Sequence, residues 1–159
     1  MIKITLITLG KLKEKYLNEA VKEYTKRLSA YAKLDIIELE PVKLPDKPSR
    51  SEIENALLKE SELVLKKIPQ NSEIITLCVE GQELSSPDFA KKIGNLEAIG
   101  KSITLIIGSS YGLSENIKKQ SHLRLSLSQM TFPHQLFRVL LLEQVYRAFK
   151  INEGSQYHK

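Results

Sequence analysis

SITLIIGSSYGLSENIKKQSHLRLSL, residues Ser102 to Leu127, carries the reading of the fold class. Ser102–Ile107 is apolar and β-branched without a polar alternation, the composition of a strand covered on both faces. Gly108-Ser109-Ser110-Tyr111-Gly112 interrupts it. Ser114 then offers an N-cap to a short helix ending near Gln120, and Leu123–Leu127 resumes as a strand. Strand, loop, helix and strand follow one another with no room for a tight hairpin. That order predicts a crossover between parallel strands.

The pattern extends in both directions. Toward the N-terminus, Ile2–Leu9, Leu34–Leu39 and Ser72–Val79 read as strands, with Glu80-Gly81-Gln82 as a closing turn. Between them lie helices over Lys13–Ala32, from a Ser49/Glu52 capping box to Lys67, and from Ser85 to Ile99. Pro41–Pro48, with three prolines, is a loop, and its lysines need be no more than solvated. Toward the C-terminus, Leu125-Ser126-Leu127-Ser128 runs into a turn at Gln129–Phe132, and Pro133 opens a helix. From Leu136 to Phe149 apolar residues occupy almost every side of that helix, so more than one surface should cover it, and one such surface could be a second copy. The expected fold is a single α/β domain over 1–159, a mostly parallel sheet flanked by helices.

Composition bounds the function. With 159 residues, 42% hydrophobic content and a net charge of +5, the chain is a globular domain and not a disordered one. The positive excess is compatible with a polyanionic partner without demanding one. Cys78 alone permits no internal disulfide, and MIKITLITLG lacks a signal-peptide layout. No apolar run reaches the roughly 20 residues of a membrane span. A soluble, cytoplasmic protein is expected.

In parallel sheets ligands bind beyond the carboxyl ends of the strands. Three loops meet that description: Val79–Leu84, Gly108–Leu113 and Ser128–Pro133. Met130, Thr131 and Phe132 suit a flat ring. Gly108–Gly112 is neither a dinucleotide fingerprint nor a Walker loop, and on its own a tight strand–helix turn is the favoured reading over a nucleotide loop. Cys78, His122, His134 and His158 are scattered, so no metal is expected. His134 reads as a capping or packing residue. Tyr157 and His158 are either a frayed end or part of a site. On residues alone the chain is an α/β ligand-binding domain, with a non-catalytic RNA- or ribosome-binding module and a nucleotide-dependent enzyme both open.

Several ordered strings narrow this. Ile107-Gly108 with Tyr111-Gly112-Leu113-Ser114, Leu125–Ser128 with Met130-Thr131 and Pro133-His134, Glu143-Gln144 with Tyr146-Arg147-Ala148, and Tyr157-His158 together resemble the ribosomal RNA large subunit methyltransferase H family. These are the small members of the trefoil-knotted SPOUT methyltransferases, and the likeness spans the chain. One departure is Ser109, where the family usually carries a second glycine. The resemblance implies a C-terminal trefoil knot, a homodimer, and S-adenosylmethionine as methyl donor to N3 of a pseudouridine in 23S rRNA of the assembled ribosome. It implies a cofactor site at Thr76, Leu77, Gly108, Leu127, Ser128, Gln129, Met130, Thr131 and Phe132. For catalysis it directs attention to Tyr157, His158 and Arg138, with Arg147 beside them and the tail supplied by the partner subunit.

Overall fold

The computed structural model describes residues 1–159. Five strands alternate with five helices: β1 Ile2–Leu9, α1 Lys15–Leu28, β2 Ala32–Leu39, α2 Arg50–Leu65, β3 Glu73–Glu83, α3 Ser86–Ala98, β4 Ile103–Ile107, α4 Glu115–Gln120, β5 Leu123–Ser126 and α5 His134–Asn152. The strands form one sheet in the order β2-β1-β4-β3-β5, and every pairing is parallel. All five carboxyl ends therefore open on one edge of the molecule.

Both faces of the sheet are covered, which is why its strands read as continuous apolar runs. Ile4 and Leu6 of β1, Ile75 and Leu77 of β3, and Ile103, Leu105 and Ile107 of β4 join the main core with α1, α3 and α5. Ile7, Leu9 and Ile106 point the other way, into a smaller core with Val64 of α2 and Ile117 of α4. α5 lies against both α3 and α1, so much of its cover comes from within the chain. No helix is long and apolar enough to cross a membrane.

The capping signals act as expected. Ser49 and Glu52 form a reciprocal box at α2, and the Ser85 and Ser114 hydroxyls accept from Asp88 N and Ile117 N. Pro133 is the N-cap of α5 rather than a residue of its first turn. Two boundaries move. α1 ends at Leu28, and Ala32 and Lys33 already belong to β2, paired with Ile2 and Lys3 of β1. The turn expected at Glu80-Gly81-Gln82 is instead a continuation of β3. Leu77 and Gln82 both stand opposite Leu125, so Cys78–Gly81 are extruded between them. A Cβ on Gly81 would lie 2.6 Å from the Arg124 carbonyl oxygen. The glycine is there for this close approach to β5, not for a chain reversal.

Candidate active site

The extruded part of β3 and the loops after β4 and β5 enclose a cleft of about 470 Å³. Leu77, Cys78, Val79 and Glu80 line it from β3, Gly108–Leu113 from the β4 loop, and Leu127, Ser128, Met130, Thr131 and Phe132 from beyond β5. Lys118 of α4 and His134 and Phe137 of α5 complete the wall. The three loops that the sequence places at strand ends thus meet in one hollow, as a parallel sheet requires.

Each loop is held by local chemistry. Gly112 N donates to the Ser109 carbonyl at 2.8 Å, and Gly112 takes a φ of +85°, where a side chain is disfavoured. A Cβ on Gly108 would fall 2.3 Å from the Gly112 oxygen. The loop is therefore a tight turn and a cleft wall at once, and its first glycine is required by the turn itself. The His134 ring bonds the Gly108 carbonyl through Nε2, which ties the start of α5 to the end of β4. Beyond β5, the Ser126 hydroxyl donates to the Ser128 carbonyl and Met130 N donates to the Ser128 hydroxyl, both at 3.0 Å. That turn presents Met130, which is 75% exposed, and sets Phe132 against Phe137 with ring centres 6.3 Å apart.

One ion pair stands at the rim. Lys118 Nζ lies 2.6 Å from Glu80 Oε1. Burial works against the Lys118 ammonium, yet the bond to Glu80 outweighs it and leaves its pKa above the ordinary value. The same bond holds the Glu80 carboxyl below its usual range. Burial pushes the Cys78 thiol up, which makes it a packed thiol and no nucleophile.

The family model described as "Predicted SPOUT methyltransferase" matches residues 2–158. The chain belongs to the SPOUT methyltransferases. It is 49% identical over 159 residues to the ribosomal RNA large subunit methyltransferase H of Streptococcus suis (strain 05ZYH33), covering 99% of this chain and 100% of that one. Against ribosomal RNA large subunit methyltransferase H 1 of Clostridium perfringens (strain SM101 / Type A) the identity is 52% over 157 residues, or 98% and 99% of the two chains. A solved structure, a probable methylase family protein from Haemophilus influenzae Rd KW20, superposes with a TM-score of 0.53 at 13% identity, covering 99% of this chain and 70% of that one. That likeness speaks for the fold.

Within this SPOUT chain the expected site residues divide into three groups. Leu77, Gly108, Leu127, Ser128, Met130, Thr131 and Phe132 line the cleft. Thr76 and Gln129 do not: Thr76 is fully buried beneath the wall, where its hydroxyl accepts the Cys78 thiol, and Gln129 points to solvent. Arg138, expected among the catalytic groups, does not line the cleft. Its side chain is 3% exposed, donates to Glu38 Oε2 at 2.6 Å and to the Gly10 carbonyl at 3.0 Å, and so faces the ends of β1 and β2.

The tail forms a separate constellation. Tyr157 donates to Glu143 Oε1 at 3.1 Å and packs edge-on against Tyr146. Arg147 lies over the Tyr157 ring, bonds Glu143 at 2.5 Å and reaches His158 Nδ1 at 3.1 Å. Arg147 stands thirteen residues beyond His134 on α5, about 20 Å along the axis. Neither Tyr157 nor His158 lines its own cleft, and Glu143, which Tyr157 bonds, stands six residues beyond Phe137 of the cleft wall. Lys118 and Phe137, outside the three loops, were not singled out by sequence as wall residues. Lys118 in particular is one of two adjacent lysines, and only the way α4 packs tells which of them turns inward.

Proposed function

We propose that this chain is a methyltransferase of large-subunit ribosomal RNA, acting in the cytoplasm on N3 of a pseudouridine in the assembled ribosome with S-adenosylmethionine as donor. One observation carries the reading: a single cleft built from the loops after β3, β4 and β5, in a chain whose full-length relatives are named as ribosomal RNA large subunit methyltransferases. The hollow fits the donor. Its volume lies within the roughly 300–1,000 Å³ usual for small-ligand sites, and Leu77, Leu127 and Phe132 supply apolar surface for a flat base. Bound there, the donor would bring a methyl group already activated on a sulfonium.

What remains for the protein is orientation and charge. Uracil N3 carries a proton at neutral pH, so negative charge must be accommodated there as the proton leaves. Arg147 has only donors, so His158 Nδ1 accepts from it and the imidazole proton sits on Nε2. That Nε2–H is a donor, suited to a carbonyl or anion of the substrate base. Arg147 is kept charged by its bond to Glu143, which raises its pKa further. Burial, with Glu143 beside it, pushes the Tyr157 phenol up to about 12, so it stays neutral. The tail thus offers a cation, a donor and a stacking ring. It stabilises charge on the base rather than removing the proton.

The reading includes a homodimer in which residues 155–159 complete the partner's site. It also includes the C-terminal knot that the resemblance implies. The test uses labelled S-adenosylmethionine and ribosomes from cells lacking the gene. One methyl per large subunit, located by mass spectrometry at N3 of a pseudouridine, is the expected result. No incorporation, or a methyl on another atom, overturns it.

A further inference from the structure

Behind the Gly108–Gly112 loop lies a second hollow of about 270 Å³, and the two cavities share Ser109, Ser110 and Tyr111 as a common wall. Its far walls come from the loop after β2, through Val42 and Leu44, and from α2, through Ile53 and Leu57. Its polar feature is Glu60, a carboxylate of a residue only 3% exposed. Glu60 Oε2 accepts from Val42 N at 2.9 Å and Oε1 accepts from the Ser109 hydroxyl at 3.0 Å. One buried side chain thus clamps the β2 loop to the dividing loop. Ser109, where the resemblance leads one to expect glycine, supplies that bond.

Apolar faces about one buried acceptor describe a seat for a planar heterocycle bearing N–H groups. Tyr111, half-exposed on the shared wall, offers an aromatic surface on the same side. On the loop that gives the hollow Val42, Leu44 and Pro45, Lys43 and Lys47 are exposed and pair with no carboxylate, although Glu40 and Asp46 lie beside them in sequence.

We propose that this second hollow seats an unstacked base of the substrate RNA next to the target nucleotide, with Lys43 and Lys47 on its phosphates. The inference rests on the RNA methyltransferase reading given above. A ribonucleotide neighbour fits the placement, because the target base must meet the donor's methyl group at the first cleft, and one loop divides that cleft from this hollow. Single-stranded RNA is read in this way, with bases splayed into apolar pockets and stacked on aromatic side chains. Glu60 keeps lone pairs for a base N–H while it holds Ser109. It acts as a positioning residue for the dividing loop.

The experiment measures methyl transfer to unmodified large subunits as a function of subunit concentration and salt. Val42→Trp fills the hollow from a surface loop, and the double variant Lys43→Ala/Lys47→Ala removes only exposed charge. Val42→Trp should raise KM for the subunit at least tenfold while kcat and the Kd for S-adenosylmethionine stay within twofold of wild type. The lysine variant should raise KM severalfold and reduce the slope of log KM against log salt by about 1.4, roughly 0.7 for each phosphate contact to a single strand. KM within twofold of wild type in the lysine variant overturns the proposal, whether or not Val42→Trp folds. So does a folded Val42→Trp with unchanged KM. If the wild-type protein itself transfers no methyl group to these subunits, it is the RNA methyltransferase reading that has failed.

Discussion

Arg138 and Gly108 were both picked out for the site, and each is also held in place by contacts of the fold. An arginine early in a helix beside a cofactor loop invites a catalytic assignment, but Arg138 is spent on Glu38 and the Gly10 carbonyl. Arg138→Met should leave that carbonyl without its donor while Glu38, partly exposed, regains water. The expected loss is about 2 kcal/mol of stability, less than for a fully buried pair. It should appear as a lower urea midpoint, with kcat of the folded enzyme within tenfold of wild type. A loss of several orders of magnitude in kcat at unchanged stability would return Arg138 to the chemistry. Gly108→Ala makes the opposite case. The added Cβ meets the Gly112 carbonyl at 2.3 Å, backbone that cannot step aside cheaply. Overpacking of this kind costs about 1–3 kcal/mol. Calorimetry should find weaker S-adenosylmethionine binding together with a lower melting temperature. Weaker binding with no change in melting temperature would mean that the glycine serves the ligand and not the turn.

Among the elements, strands and caps were readable because their causes are local. Ile103–Ile107 is covered on both faces and so carries no polar alternation, while Ser49 with Glu52 announces a helix start that the backbone then makes. The course of β3 was not readable. Glu80-Gly81-Gln82 has the composition of a turn, and only the approach of Gly81 to Arg124 reveals a strand that continues past an extrusion. For the same reason Val79 and Glu80 could be expected near a ligand while their arrangement, and the place of Cys78 in the wall, could not. Long-range ion pairs are similarly invisible in sequence, and one at the amino end of β3 makes a prediction. Burial opposes the Glu73 carboxylate, but Lys92 at 3.0 Å, with further help from His122 and Lys101, holds its pKa below the ordinary value. A carboxyl depressed on folding contributes stability that is present above its unfolded value of about 4.3 and is lost as pH falls through the folded value. Urea unfolding between roughly pH 6 and pH 3 should therefore show a steeper acid loss in wild type than in Glu73→Gln. Parallel curves would mean that the pair contributes nothing.

For the whole molecule, the decisive question is why the tail packs on the second half of α5 while the cleft borders its start. Tyr157 and His158 are fastened near Glu143 and Arg147, about 14 and about 20 Å of helix beyond His134 at the cleft, and neither lines the cleft. Around the cleft, Val79, Tyr111, Met130, Phe132 and Leu136 all remain exposed, an apolar rim of the kind that marks an interaction surface. A second copy packed antiparallel along α5 would cover that rim and bring its tail to the cleft. α5 itself needs less cover than its composition suggests, since α1 and α3 already supply most of it. The rim and the tail therefore support the proposed dimer more strongly than the helix does. Two variants separate the alternatives. One lacks residues 157–159, and the other carries Leu127→Arg, which sets a cation in the cleft. Each homodimer should be inactive, the first with its affinity for S-adenosylmethionine intact. Co-expressed with distinct tags and purified as heterodimers, they should regain up to half of the wild-type activity per dimer. That recovery would come from the one site that joins an unaltered cleft to an unaltered tail. If each tail served its own cleft, one subunit would lack the tail and the other the pocket, and the mixed dimer would stay silent. Silence from heterodimers shown by mass to be intact would rule out the exchange.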